Sequence, residues 1–171
     1  MQNIVVHSSG YLIYKGEKYK ASIGKEGITE NKKEGDEKTP IGCFKLREIF
    51  YRKDRIEKPK SVLKVKEIKE NYGWCNDCSS RNYNKLIKIP TKEKHEKLWR
   101  KDNTYDIIVP LGYNDEPATK DKGSAIFMHL ARKNYSPTEG CIALSKEDLL
   151  EILSKISNET LVCVIDKNAN S

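Results

Sequence analysis

Apolar residues in the first 23 positions come in short alternating runs. They occupy residues 3–7 (NIVVH), 11–14 (YLIY) and 18–23 (KYKASI), with Ser-Ser-Gly and Lys-Gly-Glu between them. Runs of this length, rich in β-branched and aromatic residues and punctuated by glycine, predict the strands of a β-meander. Residues 24–42 (GKEGITENKKEGDEKTPIG) are polar and glycine-rich, and they end in a Thr-Pro-x-Gly turn. Such a segment is too charged to bury and long enough to border a site. Residues 43–51 (CFKLREIFY) read as another strand, as do 105–111 (YDIIVPL), 124–130 (SAIFMHL) and 160–166 (TLVCVID), while 141–144 (CIAL) is a short strand or a strand end.

One segment has helical period. In residues 145–157 (SKEDLLEILSKIS), Leu149, Ile152, Leu153 and Ile156 fall at i, i+3, i+4 and i+7, and Ser145 with Asp148 has the form of a capping box. The helix is predicted to begin just after Leu144. Residues 52–101 hold no sustained period and are expected to be an insertion of mixed structure, in which 91–101 (TKEKHEKLWRK) is a short helix or a charged loop. The pattern as a whole predicts a mainly β, α+β chain with few helices.

At 171 residues the chain has the length of a single domain, 1–171. Its 32 basic and 25 acidic residues leave +7, unevenly placed: residues 1–101 carry 25 basic and 14 acidic (+11), residues 102–171 carry 7 and 11 (−4). The excess suits an anionic partner, but only six of the basic residues are arginine. Lysine-rich solvated surface explains most of it. No RNP-like aromatic pattern, zinc finger or basic zipper accompanies it, so nucleic acid is not the expected partner. No apolar run approaches a membrane span, and the opening lacks a basic segment followed by an apolar one. The five cysteines (43, 75, 78, 141 and 163) cannot all pair, so at least one thiol stays free.

The chemically informative stretch is 123–144 (GSAIFMHLARKNYSPTEGCIAL). His129 ends a strand, a polar loop follows, and Cys141 stands 12 positions later beside Gly140. That spacing can return both side chains to one end of a sheet. A thiol of pKa about 8.5 is mostly protonated at neutral pH, and a nearby imidazolium favours the thiolate. The amides of Gly140 and Cys141 can then serve as an oxyanion hole.

This stretch resembles the signature of the YkuD family, the L,D-transpeptidase catalytic domain: a histidine, a loop, then Ser/Thr-x-Gly-Cys and Ile or Val, here His129, Thr138, Gly140, Cys141 and Ile142. A second family element, a polar loop leading into Thr-Pro-x-Gly-x-Phe, matches Thr39, Pro40, Gly42 and Phe44. The resemblance runs over nearly the whole chain. It implies a β-sandwich or barrel with one helix after the cysteine, and a Cys141 nucleophile that attacks a peptidoglycan stem peptide or muropeptide. Terminal D-alanine is expelled and the acyl group passes to an amine, or to water in an L,D-carboxypeptidase. His129 is the implied general base, oriented by a backbone carbonyl, and no cofactor is called for. Thr138 bonds near the oxyanion or is a turn hydroxyl.

One position departs from the family. Where Arg usually follows Cys-Ile, this chain has Ala143. Arg132 is the nearest replacement, as a clamp for a substrate carboxylate or as a solvated loop residue. Tyr113 and Asn114 contact a peptide amide or serve a turn.

The remaining features read as structural. Cys75-x-x-Cys78 is half a zinc knuckle without further ligands at a recognisable spacing, so no metal is expected. Trp74 is a groove wall or a core anchor, Cys163 reads as a core thiol, and Cys43 has no role. The resemblance implies a periplasmic or cell-wall location, whereas the opening residues suggest a cytoplasmic one if the chain is complete. The competing function is a basic polymer-binding module in which His129 and Cys141 are structural.

Overall fold

The computed structural model describes residues 2–166; residues 1 and 167–171 of the expected domain lie outside the described residues. Two five-stranded sheets form the body, and a parallel pair of short strands, β4 (Ile28–Thr29) and β5 (Thr39–Pro40), adds a further small sheet. The first is built from β1 (Ile4–His7), β2 (Tyr11–Tyr14), β3 (Glu17–Lys20), β6 (Gly42–Lys45) and β15 (Leu161–Ile165), in the order β3-β2-β1-β15-β6. The second contains β7 (Ile49–Tyr51), β8 (Val65–Glu67), β12 (Ile107–Pro110), β13 (Phe127–Leu130) and β14 (Ile142–Leu144), in the order β14-β13-β12-β7-β8. Between the Cα partners of β13 and β14, which run parallel, His129 faces Ala143.

Alternation decides what each face meets. On one face of the second sheet Ile107, Val109, Met128, Leu130, Ile142 and Leu144 pack against Ile4, Val6, Leu12, Val162 and Val164 of the first sheet, with Leu149, Ile152 and Leu153 of the helix in the same core. That helix, α1 (Lys146–Lys155), starts where the capping pattern predicts, its Asp148 amide donating to Ser145 Oγ at 3.1 Å. Intervening residues of the second sheet turn the other way: Phe50, Ile108, Phe127 and Cys141 join a separate cluster with Ile68, Leu98 and Tyr105. Strands β12 and β13 are therefore buried at every position, as expected when both faces of a sheet are covered.

What covers that second face is the 52–101 region, in which short strands stand among turns and loops. Besides β8, the segment forms β9 (Tyr72–Cys75), β10 (Leu86–Lys88) and β11 (His95–Lys97), a three-stranded sheet in the order β10-β9-β11. Residues 91–101 contain β11 and no helix. The strands were hidden because they are only three or four residues long and carry lysine and glutamate outward. Contacts join this region to the body and brace it: Trp74 of β9 meets Phe127 edge-on at 5.0 Å, Arg55 pairs with Asp106 at 2.9 Å, and Arg52 stacks on Trp99 at 3.5 Å within the region.

Two further expectations change. Residues 43–51 form two strands, β6 and β7, one in each sheet. Cys163 is no core thiol and Cys43 is not idle: β15 and β6 set them opposite one another, and they form a disulfide closing a 120-residue separation. Cys75, Cys78 and Cys141 are free. No helix among the described residues is long and apolar enough to cross a membrane.

Candidate active site

Cys141, directly before β14, and His129, on the neighbouring β13, reach the same cavity, about 280 Å³. The Phe127 amide donates to Cys141 Sγ at 3.4 Å. His129 is two residues further along β13 and on the same face, about 7 Å away by strand geometry. The Cys141 thiol donates to the Ala125 carbonyl at 3.1 Å. Because a carbonyl only accepts, the 3.0 Å contact between His129 Nδ1 and the Leu130 carbonyl places the proton on Nδ1 and leaves Nε2 as the acceptor of the neutral ring. Leu130 thus supplies the orienting carbonyl that the sequence does not single out. Tyr105 packs edge-on against the imidazole at 5.3 Å.

Both groups rest uncharged. Burial, reinforced by the positive charges of Arg132 and Arg100, pushes His129 down to about 4 despite its carbonyl partner. Burial also pushes the Cys141 thiol up to about 12, with Glu96 and Glu139 acting in the same direction and the Phe127 amide and Lys32 opposing them. A standing thiolate–imidazolium pair, the arrangement the sequence suggests, is disfavoured here because both groups are buried.

The loop before Cys141 is braced from the Thr-Pro-x-Gly element. Thr39, fully buried, donates its hydroxyl to the Gly140 carbonyl and accepts the Gly24 amide, both at 2.8 Å. Gly140 has φ +138°, and a Cβ there would lie 2.9 Å from the Lys38 carbonyl oxygen, so no other residue fits without movement. Ser22 and Ala143 exchange amide–carbonyl bonds at 2.8 and 2.9 Å, carrying the first sheet's chain along the edge of β14. Two signature elements about a hundred residues apart are therefore one contact.

Other expected residues fall differently. The Thr138 hydroxyl donates to the Cys141 carbonyl at 2.6 Å and accepts the Gly140 amide at 3.1 Å. It is a turn hydroxyl, and the Gly140 amide expected in an oxyanion hole is already engaged by it. Arg132 lies exposed on the cavity rim. Tyr113 and Asn114 are not among the cavity's lining residues. Tyr113 donates to the Lys122 carbonyl at 2.5 Å, and Asn114 bonds Thr119 and Gly123, so both hold their own loop together. Trp74 is a core anchor rather than a wall of this cavity. Among the described residues no three His, Cys, Asp or Glu side chains gather as a metal site.

Sequence reading missed Lys32, Glu34, Glu96, Arg100, Tyr105 and Ser124, all of which line the cavity. Glu96 accepts from the Tyr105 hydroxyl, and Glu34 accepts from Tyr83 and Ser124 at 2.6 Å each. Asn84 was missed as well. Its Oδ1 accepts Trp74 Nε1 and the Ala125 amide, and its Nδ2 donates to the Tyr113 and Asn114 carbonyls, all within 3.1 Å. Ala125 has φ +54°, a left-handed conformation that strains a residue bearing a Cβ. Asn84 holds it there, which aims the Ala125 carbonyl at Cys141. A lone polar residue in a lysine-rich segment carries no sequence signal for such a role.

Two packed β-sheets with a cysteine-bearing loop and a carbonyl-anchored histidine on one covered face describe a Cys–His site on a β fold. The chain belongs to the YkuD family, the L,D-transpeptidase catalytic domain, whose family model matches residues 2–164. No curated protein sequence matches significantly. Among solved structures, Bd1075 of Bdellovibrio bacteriovorus is similar at 16% identity and TM-score 0.49, over 96% of this chain and 47% of that one. The helical cell shape determining protein Pgp2 of Campylobacter jejuni is similar at 16% identity and TM-score 0.44, over 96% and 46%. The chain spans about half the length of these solved chains.

Proposed function

We propose that the protein is a cysteine-dependent L,D-transpeptidase acting on peptidoglycan stem peptides in cell-wall biogenesis. The observation that carries the reading is the pairing of a free Cys141 with a His129 whose Nδ1 is committed to a carbonyl, both lining one cavity. In the proposed cycle the thiol turns from the Ala125 carbonyl and gives its proton to His129 Nε2 as sulfur adds to the carbonyl of the third stem residue. The adduct collapses with cleavage of the C–N bond, and His129 returns the proton to the departing D-alanine amine. The resulting thioester is attacked by an acceptor amine, which loses a proton to His129, and the released Cys141 thiolate takes that proton back. Because both groups rest neutral, the proton moves as the bond forms.

Incubation with a tetrapeptide muropeptide, followed by mass spectrometry, tests this. The expected result is a covalent adduct on Cys141 and a cross-linked or D-amino-acid-exchanged product. Loss of D-alanine without transfer would instead make the protein an L,D-carboxypeptidase. No adduct at Cys141 would refute both. The Cys43–Cys163 disulfide fits an oxidising compartment, hence the periplasm or cell wall. Resistance of those two cysteines to alkylation in protein taken from native cells tests the location.

A further inference from the structure

Lys32 belongs to the segment that composition marks as too charged to bury, yet its side chain is only 4% exposed. Burying an ammonium is costly unless it is paired. Its Nζ pairs with the Asp36 carboxylate and donates to the Lys33 carbonyl at 3.0 Å. An ammonium has three N–H groups, so one remains beyond those two partners. The stem is seated on Gly123 (φ +107°), where a Cβ would come within 2.9 Å of Lys32 Cγ and 3.1 Å of its Cε. The charged end lies 3.7 Å from where a Cβ of Gly140 would stand, directly before Cys141, and Lys32 lines the cavity. Asp36 is itself fixed: burial works against its carboxylate, but bonds from Lys32 and from the Lys33 and Lys38 amides outweigh it and hold it below the usual range. Two glycines thus make room for an immobilised cation beside the cysteine loop. Among the charges that bear most on the thiol, the others are the carboxylates of Glu96 and Glu139, which disfavour negative charge on sulfur; Arg100 and Arg132 also line the cavity.

We propose that Lys32 is a positioning residue of this site, a fixed positive charge that favours the negative charge developing at Cys141 when it reacts. The proposal rests on Cys141 being the nucleophile, as proposed above. A buried charge on the wall of the cavity that holds a reacting centre is less screened than a solvated lysine at the same distance. The partner carboxylate moderates the effect, which sets opposite signs for the two members of the pair. Removing Lys32 withdraws the favourable charge, and neutralising Asp36 uncovers it.

Thiol alkylation provides the test, because it needs no muropeptide. Iodoacetamide labelling of Cys141 at pH 8, followed by peptide mass spectrometry to separate it from Cys75 and Cys78, is compared for wild type, Lys32→Met, Lys32→Arg and Asp36→Asn. Thermal melting confirms that each variant is folded. Lys32→Met is expected to slow labelling at least fivefold, Lys32→Arg to stay within threefold of wild type, and Asp36→Asn to label at least as fast as wild type. On the muropeptide, Lys32→Met is expected to lower kcat with KM within twofold. Labelling of Lys32→Met within twofold of wild type overturns the proposal. So does slowing by Asp36→Asn, which marks a pair that merely braces the loop, and this arm decides even if Lys32→Met does not fold. Turnover that survives Cys141→Ala would instead remove the enzymatic reading, a separate result.

Discussion

The second sheet has two faces of opposite character. Toward the first sheet it presents Ile107, Val109, Met128, Leu130, Ile142 and Leu144, all apolar side chains packed in one core. Toward the 52–101 sheet the alternate positions of the same strands present Phe127, His129, Cys141 and Ala143, among aromatic rings and cavity-lining carboxylates. One residue of register separates the two sets. Packing on the aliphatic face fixes where the strands lie, and with them where Cys141 and His129 stand. The apolar core thus lies on one side of three short strands and the proposed chemistry on the other.

Substitutions on the two faces should therefore separate fold from function. The largest effect on activity is expected from Cys141→Ala, which should abolish adduct formation on a muropeptide while leaving the melting temperature nearly unchanged. A melting temperature lowered as far as by a core substitution would break the division. His129→Gln is next, with an expected loss of about a hundredfold to ten-thousandfold in kcat, the usual contribution of a general base.

Met128→Ala, the immediate neighbour of His129 on the aliphatic face, should cost about 2–5 kcal/mol of stability by denaturant melt. At temperatures where it remains folded it should retain most activity. Asn84→Ala should do both in smaller measure. Losing a buried hub is expected to cost about 1–3 kcal/mol, and kcat should fall because Ala125 is no longer held toward Cys141.

A further effect is on pH dependence. His129 sits near 4 in the folded protein and near 6.5 when unfolded, so the unfolded chain takes up its proton first as pH falls. Its stabilising contribution is complete above about 6.5 and is lost between there and about 4, amounting to at most about 3 kcal/mol. His129→Gln should flatten that part of the stability profile, and a slope unchanged by the substitution would show that other groups produce it. Wild-type turnover should hold from neutral pH down to about 5.

Cys141 and His129 were readable as candidates because Gly140-Cys141 follows His129 within one short segment. Strands β12, β13 and β15 were readable for a related reason, since burial on both faces leaves continuous apolar runs. The small sheet in 52–101 was not. Its inward residues, such as Trp74, Leu86 and Leu98, are too sparse among lysines to form a period, and their burial depends on what Phe127 and Phe50 present from elsewhere. Tyr113 and Asn114 misled because a tyrosine and an asparagine after a strand look the same in sequence whether they face a ligand or their own loop.

The sequence by itself determined the mainly β class, the capped helix and the need for a free thiol, all of which follow from local period, turn chemistry or counting. Only the tertiary structure decided that Cys43 and Cys163 are bonded, that Thr39 holds Gly140, that Leu130 orients His129, and that Lys32 lies buried beside the cysteine loop. These are contacts set by which strands become neighbours and by the shared burial of His129 and Cys141. That burial leaves thiol and imidazole uncharged at rest, because desolvation acts on a group through everything packed around it and no spacing in the chain records that.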